Sequence, residues 1–173
     1  MDLFLIRHAT ALDAAPGGSD AARPLSTKGR RRFAQSVDGL AHLGLSFDLL
    51  LHSPWLRALE TAELLAGLVR GETRVTPALA EPPGRPLLAE LSGAGAAPVD
   101  PEGRLARPPR RVAAVGHQPW LSELAAWLVL EDPEAGRQLH LGKGGVPWLR
   151  GEPAPGEMHL HALLAPKLVR SLA

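Results

Sequence analysis

Apolar residues recur along this chain in two rhythms. Unbroken apolar runs occur at Leu3–Ile6, Phe47–Leu51 (around Asp48) and Val112–Val115. Runs of this kind suit central strands covered on both faces. Between them the spacing shifts to three and four. Phe33, Val37, Leu40 and Leu43 predict an amphipathic first helix, with Ser26-Thr27 placed at its N-cap. Leu59, Ala62, Leu65, Ala66 and Val69 predict a second helix running from Trp55, with Pro54 tolerated at its start and Arg57 near its first turn. A third is predicted from Trp120 to Leu130, with Trp120, Leu124 and Trp127 in the core. Two strand-like runs, Val146–Leu149 and Met158–Leu164, flank a Gly/Pro turn near the C-terminus. A loop holding Pro16-Gly17-Gly18 follows the first run. The Pro-, Gly- and Ala-rich stretch from Pro82 to Pro109 predicts loop on a fixed scaffold, with one short helix at Leu87–Leu91.

This order predicts a single domain over residues 1–173, a three-layer α/β/α fold with a mostly parallel central sheet of about five or six strands. Ligands of such sheets bind beyond the carboxyl ends of the strands. The first run ends on Arg7-His8, the second on Ser53 leading to Arg57, and the third on His117. Two arginines and two histidines are thereby expected at one sheet edge.

Composition narrows the chemistry. The chain has 173 residues, 45% hydrophobic and 21% charged, with a net charge of +1. That balance gives no whole-chain signature of nucleic-acid binding. The lack of cysteine excludes disulfides, thiolate catalysis and cysteine-ligated metals. No apolar run reaches membrane-spanning length. The expectation is a cytoplasmic chain, and nothing in it demands more than a monomer.

An arginine guanidinium pairs its donors with phosphate oxygens and stays charged at any working pH. A neutral imidazole can accept a phosphoryl group and divide one displacement into two. A second histidine can donate to the phosphoryl oxygens as charge moves in the transition state. Arg7, His8, Arg57 and His117 supply this set, and no metal or other cofactor is called for.

The same residues carry a resemblance. Leu5-Ile6-Arg7-His8-Ala9 resembles the Arg-His-Gly signature of the histidine phosphatase superfamily, whose fold is phosphoglycerate mutase-like. Ser53-Pro54-Trp55-Leu56-Arg57-Ala58-Leu59-Glu60-Thr61-Ala62 resembles its Ser-Pro-x-x-Arg-x-x-x-Thr-Ala segment, and Val115-Gly116-His117 its second-histidine motif. Arg23-Pro24-Leu25-Ser26-Thr27-Lys28-Gly29, Gly116-His117-Gln118-Pro119 and Leu164-Ala165-Pro166-Lys167-Leu168 are similar to motifs of the small bacterial phosphohistidine phosphatases of the SixA type. The resemblance implies that His8 is the nucleophile and that Arg7, Arg57 and His117 bind the phosphoryl group. It implies a phosphohistidine-bearing signalling or phosphocarrier protein as substrate. A small phosphate ester, or a non-catalytic phospho-binding role, is the alternative. Ala9 stands where the family has glycine. Ala14 stands where mutase-like relatives place a phosphate-binding asparagine, which argues for the phosphohistidine branch. Mutase-like members carry a proton-donating glutamate after Leu-x, and Leu79-Ala80-Glu81 supplies a candidate in Glu81.

Other polar residues have plainer expectations. Arg30-Arg31-Arg32 is expected on the solvated side of the first helix, with docking of an acidic partner as the alternative. Arg23 is expected to be a solvated loop arginine, with reach to the phosphoryl site or to a partner protein as the alternative. His159 and His161 share a strand face at a spacing that can bind zinc, but no third ligand is evident, so a structural role is expected. His52 is a pocket-lining candidate, and Trp55 a substrate-facing one. Gly144-Gly145 lacks the strand-to-helix context of a phosphate loop.

Overall fold

The computed structural model describes residues 1–13, 17–93 and 111–173. Ala14, Pro16 and most of the Pro82–Pro109 stretch lie outside the described residues. Six strands form one sheet: β1 (Asp2–Arg7), β2 (Phe47–His52), β3 (Val69–Val75), β4 (Arg111–Gly116), β5 (Val146–Gly151) and β6 (Met158–Leu164). Their spatial order is β3-β2-β4-β1-β5-β6. The first four are mutually parallel, and only β5 runs opposite to the other five. Among the described residues five α-helices accompany them: α1 (Thr27–His42), α2 (Leu56–Leu64), α3 (Arg85–Leu91), α4 (Trp120–Leu130) and α5 (Pro166–Arg170).

The unbroken apolar runs are explained by cover on both faces. Phe4 and Ile6 of β1 point to one side, where they meet Phe33 and Leu40 of α1, Ala58 and Ala62 of α2, and Val169 of α5. Leu3 and Leu5 point to the other, against Leu87 and Leu91 of α3 and Leu121 and Leu124 of α4. All four β1 residues are fully buried. The result is the three-layer, mostly parallel fold expected.

The second predicted helix is corrected. It ends at Leu64, a 3-10 turn spans Ala66–Leu68, and Val69 opens β3. Leu65 and Leu68 are buried in a turn that imitates the helical spacing. The edge strand itself is largely exposed, so it has no apolar rhythm to announce it. Its Gly71 is required: a Cβ there would sit 1.9 Å from the Asp48 carbonyl oxygen of β2.

Register sets the level of the site. Arg7 pairs with Gly116 and His52 with Val115. The ladder continues past the strand ends, with His8 N–H donating to Gly116 O at 3.1 Å and Ser53 N–H to Val115 O at 3.0 Å. His8, Ser53 and His117 therefore leave three neighbouring strands at one edge. The N-termini of α2 and α4 follow directly, and both bring partial positive charge to that edge.

Candidate active site

His8 is buried at 7% exposure, and its two ring nitrogens have distinct partners. Nδ1 lies 2.7 Å from the Ala9 carbonyl oxygen, which can only accept, so Nδ1 carries the proton. Nε2 accepts from Arg57 Nε at 3.1 Å, so its lone pair is available. Burial lowers the His8 pKa from its ordinary 6.5 to about 4, helped by the charges of Arg57, Arg7 and Lys143. The imidazole is neutral at neutral pH with its lone pair on Nε2.

Arg57 is only 5% exposed and is fixed by all three of its nitrogens. Besides its bond to His8, Nη1 donates to Asp20 O at 2.6 Å and Nη2 pairs with Asp20 Oδ2 at 2.9 Å. The guanidinium carbon lies 4.6 Å from the Trp55 ring centroid. The other Asp20 oxygen, Oδ1, accepts from Arg23 at 2.8 Å. That hydrogen bond, and then the one from Arg57, hold the Asp20 carboxyl below the usual carboxylate range. Arg57, a cation in a first helical turn, is balanced by this carboxylate.

His117 is 2% exposed. Its ring centroid lies 5.1 Å from that of His8 and 4.4 Å from that of Trp55. Burial, then the neighbouring His8 and Arg57, lower its pKa to about 3. Nε2 lies 2.8 Å from Ser53 Oγ, which also accepts from Trp55 N at 3.2 Å. The Ser53 hydroxyl proton finds its acceptor in His117 Nε2. This assignment leaves the imidazole proton on Nδ1, a buried donor without a partner among the described residues. A buried unpaired donor is costly, and an incoming oxyanion relieves it. Arg7 donates through Nη1 to Leu141 O, while its buried Nε has no partner among the described residues. Arg7 backbone also pairs with Gly144 and Gly145, which gives the Gly-Gly turn a clamping role.

The structure thus brings together Arg57, His8 and His117, with Arg7 in the strand end beneath them. Glu81 ends a 3-10 turn over Pro77–Ala80, and the Leu79 carbonyl of that turn packs on Gly116. The Glu81 side chain is exposed and makes no hydrogen bond or ion pair to the other four. His52 is buried and held by the Ser53 carbonyl oxygen. His161 packs on Trp148 at 4.5 Å. Trp120, expected in the core, is half-buried and faces Trp55 at 5.8 Å and His117 at 6.2 Å, so it walls the site. Trp127 is also only half-buried, whereas Leu124 is core.

Several working residues escaped the sequence reading because they act on backbone. Thr61 Oγ1 accepts from Ala9 N at 3.1 Å and donates to Arg57 O at 2.6 Å, joining the His8–Ala9 segment to α2. Glu60 accepts from Leu25 N and pairs with Arg30 at 2.6 Å, which ties down the start of α1. Gly29 admits the Thr10 carbonyl oxygen, 2.0 Å from where a Cβ would lie. The polar positions of the Ser-Pro-x-x-Arg-x-x-Glu-Thr segment therefore each hold a different piece of the site. That periodic polar pattern on a helix otherwise facing the core was the available signal.

The chain is similar to known proteins in sequence and in fold. The sequence model of the histidine phosphatase superfamily (branch 1) matches residues 3–83. An uncharacterized protein of Picosynechococcus is 36% identical over 171 residues, covering 96% of this chain and 98% of that protein. The structure of the protein histidine phosphatase SixA complexed with tungstate superposes with a TM-score of 0.72 at 26% identity, over 96% of this chain and 98% of that one. The alpha-ribazole phosphatase of Shigella flexneri shares the fold, with a TM-score of 0.64 at 20% identity over 96% and 97% of the two chains. By its motifs, its fold and these matches, the chain belongs to the histidine phosphatase superfamily and is of the SixA type.

Proposed function

We propose that this chain is a phosphohistidine phosphatase, with His8 as nucleophile and Arg7, Arg57 and His117 as the phosphoryl-binding set. The observation that carries the substrate class is the state of the carboxylate at the pocket. Asp20 is ionised and bound to two arginines, so it is a poor proton donor. A leaving alkoxide needs an acid; a leaving imidazole can be protonated on its other nitrogen and departs far more readily. A phosphoramidate such as phosphohistidine suits a site of this kind.

The reaction runs in two displacements. As the substrate binds, before any bond changes, Arg57 releases the His8 Nε2 lone pair and turns its donors from the Asp20 carboxylate to the phosphoryl oxygens, where they stand fixed as charge develops. Nε2 bonds to phosphorus as the phosphorus–nitrogen bond of the substrate breaks and its electron pair leaves with the departing imidazole. His117 Nδ1–H donates to the phosphoryl oxygens as their charge is redistributed. Water then attacks phosphorus as the phosphorus–Nε2 bond breaks; the electron pair returns to Nε2, the water protons leave with the phosphate, and free His8 is regenerated. The substrate is a phosphohistidine on a signalling or phosphocarrier protein in the cytoplasm, processed by a monomer without a cofactor.

The second reading, a phosphatase for small esters, is favoured by the placement of the Glu81 turn against the β4 end. Metal-free hydrolysis of a phosphohistidine protein and of p-nitrophenyl phosphate, for wild type, His8→Ala and Glu81→Gln, decides between them. Fast turnover of the phosphohistidine, slow turnover of the ester, loss of both in His8→Ala and indifference to Glu81→Gln support the proposal. A preference for the ester that disappears in Glu81→Gln overturns it.

A further inference from the structure

Next to the phosphoryl pocket lies a second groove of about 390 Å³, between α1, the Gly142–Gly145 turn and α5. Ala9 and Thr10, the residues after the nucleophile, form part of its wall, so it adjoins the His8 segment. Four cations line it: Arg32, Lys143, Lys167 and Arg170. No acidic side chain lines it, and none of the four makes an ion pair with a carboxylate among the described residues. Elsewhere several arginines are matched: Arg23 and Arg57 with Asp20, Arg30 with Glu60, Arg137 with Glu134, and Arg150 with Asp2. The basic run of α1 is divided accordingly, with Arg30 neutralised and Arg32 turned to the groove.

The groove is built by close backbone approach. Gly39 of α1 lets the Val169 carbonyl of α5 come within 2.0 Å of where a Cβ would stand. Gly144 has φ of +77° and rests on the Phe33 ring, which fixes the turn beside Lys143. Lys143 also contributes to the lowered His8 pKa, so its charge is felt across both regions.

We infer that this groove is a second anion site, which binds the further phosphates of a ligand carrying two or more linked phosphate groups. Four unbalanced positive charges exceed what one carboxylate neutralises, and a chain of linked phosphates supplies several negative charges within a small volume. The Ala9–Thr10 wall sets the groove directly beside the segment that carries His8. The inference concerns binding and stands apart from which leaving group the His8 site prefers.

The test is calorimetric titration of the full chain, without divalent metal and at fixed ionic strength. The titrants are sodium tripolyphosphate, orthophosphate, ADP and a hexa-aspartate peptide. Tripolyphosphate is expected to bind about tenfold tighter than orthophosphate, the gain of a few exposed ion pairs of ordinary strength. Arg32→Ala/Lys167→Ala should lose most of that gain with orthophosphate binding unchanged. Lys28→Ala/Arg31→Ala, which removes the same charge from positions off the groove, should keep it. A matching gain for ADP assigns the site to a nucleoside diphosphate, and its absence assigns the site to the free chain; each supports the inference. No gain for tripolyphosphate, a gain that survives Arg32→Ala/Lys167→Ala, an equal loss in the control, or peptide binding as tight as tripolyphosphate overturns it. Because binding is measured without turnover, failure of the phosphohistidine reading leaves this result intact.

Discussion

On one side of the Arg7–Thr10 segment the cations are held by partners inside the protein; on the other they are not. In the pocket, Arg57 is bonded to His8 and Asp20 and covers Trp55, and Arg7 is bonded to Leu141. In the groove, Arg32, Lys143 and Lys167 are exposed and unmatched. Fixed donors stabilise a transition state because they need not reorganise when charge develops. Free, solvated cations attract an anion but orient it weakly, and salt screens them. The difference fits the proposed roles, chemistry for the pocket and recruitment for the groove.

The largest effect should follow loss of the most fixed cation. Arg57→Ala is expected to lower kcat by about 10²- to 10³-fold, the range for removing one preorganised oxyanion donor. Arg32→Ala should change kcat on a singly phosphorylated substrate by less than about threefold, as expected of an exposed charge. Steady-state kinetics on both variants checks this. Comparable losses would erase the distinction between the regions.

Protonation breaks the symmetry further. His8 and His117 have pKa values of about 4 and about 3 in the folded chain, against 6.5 for an unperturbed histidine. As pH falls through 6.5 the unfolded chain takes up these protons first, so stability drops between about pH 6.5 and pH 4. By about pH 5 each such histidine accounts for about 2 kcal/mol of lost stability. Urea unfolding at about pH 7 and pH 5 should therefore show a smaller loss for His8→Gln than for wild type. Arg32→Ala/Lys167→Ala should lose as much as wild type. An undiminished loss in His8→Gln would mean that His8 is not held neutral.

How far this was legible from sequence depends on where each interaction is written. β1, β2 and β4 announce themselves because double-sided burial demands unbroken apolar runs. The same strands deliver Arg7-His8, Ser53 and His117, so the site's main residues follow from topology. β3 was hidden: Val69–Val75 alternates little, lies at the edge, and continues a spacing that Leu65 and Leu68 had made look helical. Trp120 was assigned to the core because a helical rhythm does not show which aromatic sits at the first turn beside a ligand edge. Asp20 was missed for a different reason. Its partner Arg57 is 37 residues away, and an acid in a polar loop carries no pattern of its own.

Positioning should matter less than direct contact. Ser53→Ala removes the donor to His117 Nε2 and with it the preference for a proton on Nδ1. An unsatisfied or misassigned buried nitrogen costs about 1–3 kcal/mol, so kcat should fall by about tenfold with KM little changed. Nitrogen chemical shifts of the His117 ring should show the tautomer moving toward Nε2–H. Ser53→Thr, which keeps the hydroxyl, should restore part of the rate. A rate loss with an unmoved tautomer would reduce Ser53 to packing.

The smallest change tests whether the two regions can be made alike. Asp20 is the pocket's internal anion, and in the proposed reaction a phosphoryl group displaces it from Arg57. Asp20→Asn keeps the shape and removes the charge, leaving Arg57 without a carboxylate, as the groove cations are, while Arg23 keeps Asp13 at 3.6 Å. Orthophosphate should then inhibit more tightly, by about threefold given the exposure of the pair. Its inhibition should also become more sensitive to salt, since attraction by unpaired charge is what screening weakens. Turnover need not improve, because a product held more tightly leaves more slowly. Weaker inhibition in Asp20→Asn would show instead that the carboxylate orients Arg57 for the phosphoryl group, and that the pocket depends on its counter-ion for the preorganisation the groove lacks.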